Sequence, residues 1–204
     1  MSSNKYGRRS IRLPEYDYSW AGEYFVTICI HDRECLLGNI DNECMVLSDY
    51  GRCVDCYWKE LPSHYNHLSL GEWVVMPNHV HGILNITDGA GVGAIHESPM
   101  KELALISNRR KMLLSKIIGR FKMNTGKQIN IMRNTPAAPL WPRNYYEHII
   151  KDAKSYTEIE NYIRNNPLNW VRDKNNPMNI KINNVVDNSK INNSWQVYNG
   201  EGDL

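Results

Sequence analysis

The feature that most constrains this chain is the stretch Met76-Pro77-Asn78-His79-Val80-His81-Gly82-Ile83-Leu84. It follows the apolar run Glu72-Trp73-Val74-Val75 and continues into another that ends near Ile86, so two strands meet at the Pro-Asn step. His79 and His81 stand two apart at the start of the second strand. Side chains alternate faces along a strand, so both imidazoles point the same way while Val80 packs behind. The bare pair fits two roles equally well: hydrogen-bonded residues at a sheet end, or ligands that hold one metal ion between them.

The flanking sequence places this hairpin in a larger unit. Residues 24–30 are apolar and β-rich and read as a central strand. A hairpin over 36–40 and 44–47 follows, with Asp41-Asn42 as turn residues, and Ser48 then caps a helix. In that helix Tyr50, Val54, Tyr57, Trp58 and Leu61 form one apolar stripe that ends at Pro62. After the strands at 68–76 and from His79, a glycine-rich surface loop occupies 88–101. A second helix spans 108–125, with Leu113, Leu114, Ile117, Ile118 and Phe121 facing inward. Residues 140–150 read as the last strand, with Tyr146, His148 and Ile150 on one face. Ser155-Tyr156-Thr157-Glu158 fits a capping box for a third helix that ends near Asn166, before Pro167.

The order strand, helix, strand, strand, helix, strand predicts an α+β fold: a ferredoxin-like antiparallel sheet (βαββαβ) with helices on one face and an added C-terminal helix carrying Tyr162. One domain is expected, over 21–172, between a basic arm at 1–20 and an Asn-rich tail at 173–204. The chain has 204 residues, 42% of them hydrophobic, and no apolar run of about 18 residues able to span a membrane. No signal peptide is evident, so a cytoplasmic protein is expected, as monomer or homodimer. The five cysteines are read as reduced packing residues; Cys53 and Cys56 form a C-x-x-C, but no second pair follows.

A net charge of +2 does not announce a nucleic-acid partner, but its distribution does more. Lys5, Arg8, Arg9 and Arg12 crowd the arm, and Arg109, Arg110, Lys111, Lys116, Arg120, Lys122 and Lys127 crowd one later segment. Each cluster also fits an ordinary solvated surface.

Val-Met-Pro-Asn-His-Val-His-Gly-Ile resembles the His-hydrophobic-His motif of the HUH endonucleases, in the form found in single-tyrosine transposases. Trp141-Pro142-Arg143-Asn144-Tyr145-Tyr146-Glu147-His148 and Tyr162-Ile163-Arg164-Asn165-Asn166-Pro167 resemble the REP-associated tyrosine transposases. The resemblance runs from about Tyr24 to Pro167, with the motifs in the family's order. It implies a metal-dependent endonuclease and strand transferase that nicks and rejoins single-stranded DNA near hairpins through a 5′-phosphotyrosine. Tyr162 would then be the nucleophile, and the amide oxygen of Asn166 the third ligand beside His79 and His81. Many relatives carry Gln at that last position. By spacing alone, Tyr162 and Asn166 merely share a helix face, which a half-buried tyrosine and a capping asparagine satisfy as well.

The implied cofactor is a divalent ion, Mg2+ or Mn2+, and the implied partner single-stranded or hairpin DNA. Lys116, Arg120, Lys122, Arg143 and His148 are the candidates for DNA contact, and His148 equally fits an ordinary sheet histidine. Three other readings compete. A nucleotide hydrolase of the histidine-triad type needs a third histidine where Ile83 stands. Relaxases usually carry their tyrosine ahead of the histidines, and replication initiators usually follow it with Lys four residues on. A hairpin-binding protein derived from a transposase, no longer cutting, remains the non-enzymatic alternative.

Overall fold

The computed structural model describes residues 21–87 and 113–179. The arm at 1–20, the loop at 88–101, Arg109 to Lys111 and the expected start of the second helix lie outside the described residues, as does the chain beyond 179.

Four strands form an antiparallel sheet: β1 (Gly22–Cys29), β4 (Leu68–Met76), β5 (His79–Ile86) and β6 (Tyr146–Ile150), in the order β4-β5-β1-β6. A separate hairpin, β2 (Gly38–Asp41) and β3 (Cys44–Leu47), leads into α1 (Asp49–Lys59). The short α2 (Leu61–His64), α3 (Leu113–Met132) and α4 (Ala153–Arg164) complete the described elements with two 3-10 turns, at His31–Arg33 and Trp170–Arg172. This is the α+β, ferredoxin-like arrangement that the element order predicts.

Period-two alternation in β1 builds two different interiors from one strand. Tyr24, Val26 and Ile28 join Val54 and Trp58 of α1 and Ile117, Ile118 and Phe121 of α3 in one buried cluster. Phe25 turns the other way, to Ile83, Ile150 and the α4 residues Ile159 and Ile163. Helices α1 and α3 therefore cover one face, and α4 lies on the opposite face. Each fully buried side chain of this kind contributes on the order of 1.5–3 kcal/mol relative to exposure. Strand register then sets the neighbours of the histidine pair: Thr27 opposite His81, Cys29 opposite His79, and Val74 and Met76 on the β4 side.

Three local expectations are corrected. The last strand begins at Tyr146 rather than 140, because Leu140 and Trp141 pack onto α3 instead of extending the ladder. Trp141 Nε1 donates to Thr125 Oγ1 at 2.9 Å, and Pro142 has no N–H to offer a partner strand. Helix α3 continues past 125 to Met132, held by buried Ile129. The cap of α4 is Asp152, whose carboxylate accepts from Ser155 N at 2.8 Å, three residues ahead of the expected capping box. The Ser48 cap of α1 is present as expected, accepting from Gly51 N at 3.1 Å.

At Gly82 the Trp58 indole of α1 packs directly on the strand. A Cβ there would meet Trp58 Cζ2 at 2.4 Å and Trp73 Cβ at 3.1 Å, and Trp58 is fully buried. Gly82→Ala should therefore lower stability by roughly 1–3 kcal/mol through overpacking. A urea denaturation midpoint unchanged from the parent protein would contradict this packing.

Candidate metal centre

His79 opens β5 directly after the Pro77-Asn78 turn, and both histidine side chains are buried. Their Nε2 atoms face each other at 3.0 Å. The outward nitrogens are also engaged: His79 Nδ1 lies 2.9 Å from Asn78 Oδ1, and His81 Nδ1 lies 2.8 Å from Thr27 Oγ1. The His81 ring stacks on Phe25 with centroids 5.4 Å apart, which fixes its tilt. The sheet thus presents two oriented nitrogens toward one point.

Helix α4 and the chain after it close over that point. Ile159 and Ile163 anchor one side of α4 on the sheet, and Tyr162, one residue before Ile163, reaches the histidines. Its hydroxyl is 3.4 Å from His81 Nε2, a long contact, and its ring meets Phe25 edge-on at 6.0 Å. After the turn at Pro167 the chain doubles back, so that the Trp170 ring lies 6.1 Å from the His79 ring. Asp173 follows, with Oδ2 3.8 Å from His79 Nε2. Its other oxygen accepts from Asn175 N at 2.6 Å, a local turn that fixes the carboxylate.

His79, His81 and Asp173 each offer one ligand atom, and the three atoms lie within 4.8 Å of one another. Burial, then the Arg33 and Lys174 cations, push the His79 imidazole down to about 3. Burial, then His79 and Lys174, hold His81 well below its ordinary value. Both rings are therefore neutral at physiological pH, and the approach of Asp173 to His79 is not an ion pair. Burial raises the Asp173 carboxyl, against the lowering effect of the Asn175 backbone N–H and of Lys174 and Arg33.

These donors fit a divalent cation. Two nitrogens about 2.1 Å from one ion and at a right angle to each other are about 3.0 Å apart, which is the separation observed. Asn166 is buried, and its Oδ1 has no hydrogen-bond partner among the described residues, which leaves an acceptor able to take a further ligand. It sits in the chain between Tyr162 and Trp170, both of which touch the histidine pair.

The remaining sequence candidates lie elsewhere. Lys116 and Arg120 are exposed on α3, across the sheet from Tyr162. The Lys122 ammonium donates to the carbonyls of Pro142 and Asn144 at 3.0 Å each and lies 5.1 Å above the Tyr145 ring, so it braces the segment leading into β6. Arg143 is exposed on that segment. His148 is half-buried on β6 opposite Phe25, and burial and then Lys151 lower its pKa. His67 lies against Thr87, at the far end of β5 from His79. Asp173 was not a candidate from the sequence, where it falls in a polar, Asn-rich stretch. The one signal near it is Trp170, a large aromatic without another apolar partner in helical register.

No family model matches the chain. A Haemophilus influenzae protein described as uncharacterized is 39% identical over 167 residues, which are 82% of this chain and 92% of that protein. A solved structure of a REP-associated tyrosine transposase bound to a REP hairpin is 16% identical, with a TM-score of 0.44 over 78% of this chain and 73% of that one. A putative transposase from Deinococcus radiodurans R1 is also 16% identical, with a TM-score of 0.33 over 70% of this chain and 88% of that one. Among the described residues, no helix is long and apolar enough to cross a membrane. By its identity over most of both chains, the protein belongs to one family with the uncharacterized Haemophilus influenzae protein.

Proposed function

We propose that this protein is a metal-dependent DNA strand transferase of the single-tyrosine HUH type, in which Tyr162 attacks a phosphodiester of single-stranded DNA beside a hairpin. The observation that carries the reading is the position of the Tyr162 hydroxyl, 3.4 Å from one of two convergent, neutral imidazole nitrogens. The order of the three sequence motifs supports it independently. Residues 21–172 supply the catalytic domain, and Asp173 closes its site.

A phenol with a pKa of about 10 is a poor nucleophile at neutral pH, and a phosphodiester repels it. A divalent ion, Mg2+ or Mn2+, supplies positive charge that neutralises the non-bridging oxygens and orients the phosphate. His79, His81 and Asp173 would hold it, with Asn166 Oδ1 as a further oxygen. Tyr162 is kept at the edge of the pair by Ile159 and Ile163, which seat α4 on the sheet, and by the edge of Phe25. The Tyr162 oxygen forms the new bond to phosphorus, the bond from phosphorus to the 3′-oxygen breaks, and the phenol gives up its proton as the 3′-oxygen gains one. The product is a 5′-phosphotyrosine and a free 3′-hydroxyl. The energy of the broken bond is conserved, so rejoining needs no nucleotide cofactor.

Arg143 and His148 would meet DNA on the β6 side of the site, and Lys116 and Arg120 on the far side of the sheet. Phosphate contacts of this kind give affinity that falls as salt rises.

Replacing His79 and His81 together with Ala should abolish Mn2+ binding in calorimetry and abolish cleavage, while hairpin affinity changes little, because base and backbone contacts lie elsewhere. Cleavage by that variant in chelator would remove the metal-dependent reading. Tyr162→Phe should bind metal and DNA as the parent does yet form no covalent adduct, since only the hydroxyl is lost. Mass spectrometry of parent protein trapped on a cleaved strand should find the 5′-phosphate on Tyr162. An adduct on Tyr145, Tyr146 or Tyr156 would contradict the assignment, and hairpin binding with no adduct at all would favour the non-cutting alternative.

A further inference from the structure

Asn78 stands between the histidine pair and the chain segment that carries Asp173. It is fully buried, and its side chain makes three contacts at once. Nδ2 donates to the carbonyl of Arg33 at 2.9 Å and to the carbonyl of Asn175 at 2.7 Å. A carbonyl oxygen can only accept, so both amide hydrogens are committed and the orientation of the amide is settled. Oδ1 is therefore the atom that faces His79 Nδ1 at 2.9 Å. An amide oxygen has no hydrogen to give, so His79 Nδ1 must carry one, and a neutral His79 must then leave Nε2 bare toward the centre of the site.

No such constraint acts on His81. Its Nδ1 faces the Thr27 hydroxyl, which donates or accepts with equal ease. Without a cation, His81 Nε2–H can donate to the bare His79 Nε2 while Thr27 donates to His81 Nδ1, and every partner is matched. To expose both lone pairs, only His81 has to move its proton to Nδ1, with the Thr27 hydroxyl turning to accept it.

We propose that Asn78 is a positioning residue with two linked tasks: it locks His79 in the Nδ1–H tautomer, and it ties that histidine to the Asp173–Asn176 segment through the Asn175 carbonyl. The segment has two further holds on the same corner. Arg33 Nη1 donates to the Lys174 carbonyl at 2.8 Å, and Cys29, opposite His79 in the ladder, directs its thiol at Asn175 Oδ1 at 3.8 Å. Release of the Asn175 carbonyl leaves an Asn78 hydrogen without an acceptor, so the hold on the segment that carries Asp173 and the tautomer of His79 share one amide. This inference rests on reading the pair as a cation site, but the tautomer can be measured without any cation.

The test is long-range nitrogen–proton NMR of the histidine rings in metal-stripped protein, combined with hydrogen exchange and Mn2+ calorimetry. In the parent, His79 should be the Nδ1–H tautomer. Asn78→Ala should shift His79 toward Nε2–H, speed amide exchange at Asn175 and Asn176, and weaken Mn2+ binding by roughly 10–100-fold. Asn78→Asp separates the two tasks: a carboxylate still accepts from His79 Nδ1–H, but it repels the Arg33 and Asn175 carbonyls. It should keep the tautomer and lose the exchange protection. Finding His79 of the parent as Nε2–H overturns the proposal without recourse to any variant, as does Asn78→Ala with its tautomer and exchange unchanged. If the parent has the expected tautomer but binds no Mn2+, the cation reading fails and the positioning role of Asn78 stands.

Discussion

Two buried imidazole nitrogens held 3.0 Å apart are the constraint on which the rest of this structure turns. Burial keeps both rings neutral, and neutral rings present lone pairs that need either a shared proton or a cation between them. The surrounding protein is arranged to hold that geometry. Thr27 and Asn78 grip the outer nitrogens, Phe25 flanks His81, and the antiparallel register puts Thr27 and Cys29 beside the pair. Burial strengthens whatever charge interaction the site makes, so small displacements of these neighbours have large consequences.

The two faces of the sheet divide the labour. Helices α1 and α3 bury the larger apolar cluster against one face and give β1 and β5 a rigid backing, with Gly82 allowing the indole of Trp58 to approach the strand. The opposite face has a smaller cluster, just enough to seat α4 through Ile159 and Ile163 and so deliver Tyr162 to the histidines. Imidazoles and an apolar side chain alternate along the same strand: His79 and His81 face α4, while Val80 faces α1 and α3.

Much of this was legible in the sequence because it depends on periodicity. The His-Val-His alternation, the apolar stripe of α1 and the strand at Tyr24 follow from spacing, and the order of elements then matches a ferredoxin-like sheet. The parts that were not legible depend on contacts between distant segments. Leu140 and Trp141 look like strand residues, yet Thr125 and Phe121 offer them a better partner than the sheet does. Asp173 was hidden because an Asn-rich stretch reads as too polar to fold. Here the asparagines act through their amides: Asn176 Nδ2 donates to the Trp170 carbonyl and Asn179 Nδ2 to the carbonyls of Val171 and Asp173, building turns where apolar residues are scarce. That Asn78 links this stretch to His79 is a three-way contact no spacing rule could reveal.

The central claim is that His79, His81 and Asp173 converge on one divalent cation beside Tyr162. Anomalous diffraction from crystals loaded with Mn2+ tests it most directly. The account predicts one strong peak within about 2.4 Å of both Nε2 atoms, on the side facing the Asp173 carboxylate and the Tyr162 hydroxyl. Full loading with no peak between the two histidines, or a peak held by other residues, would contradict it.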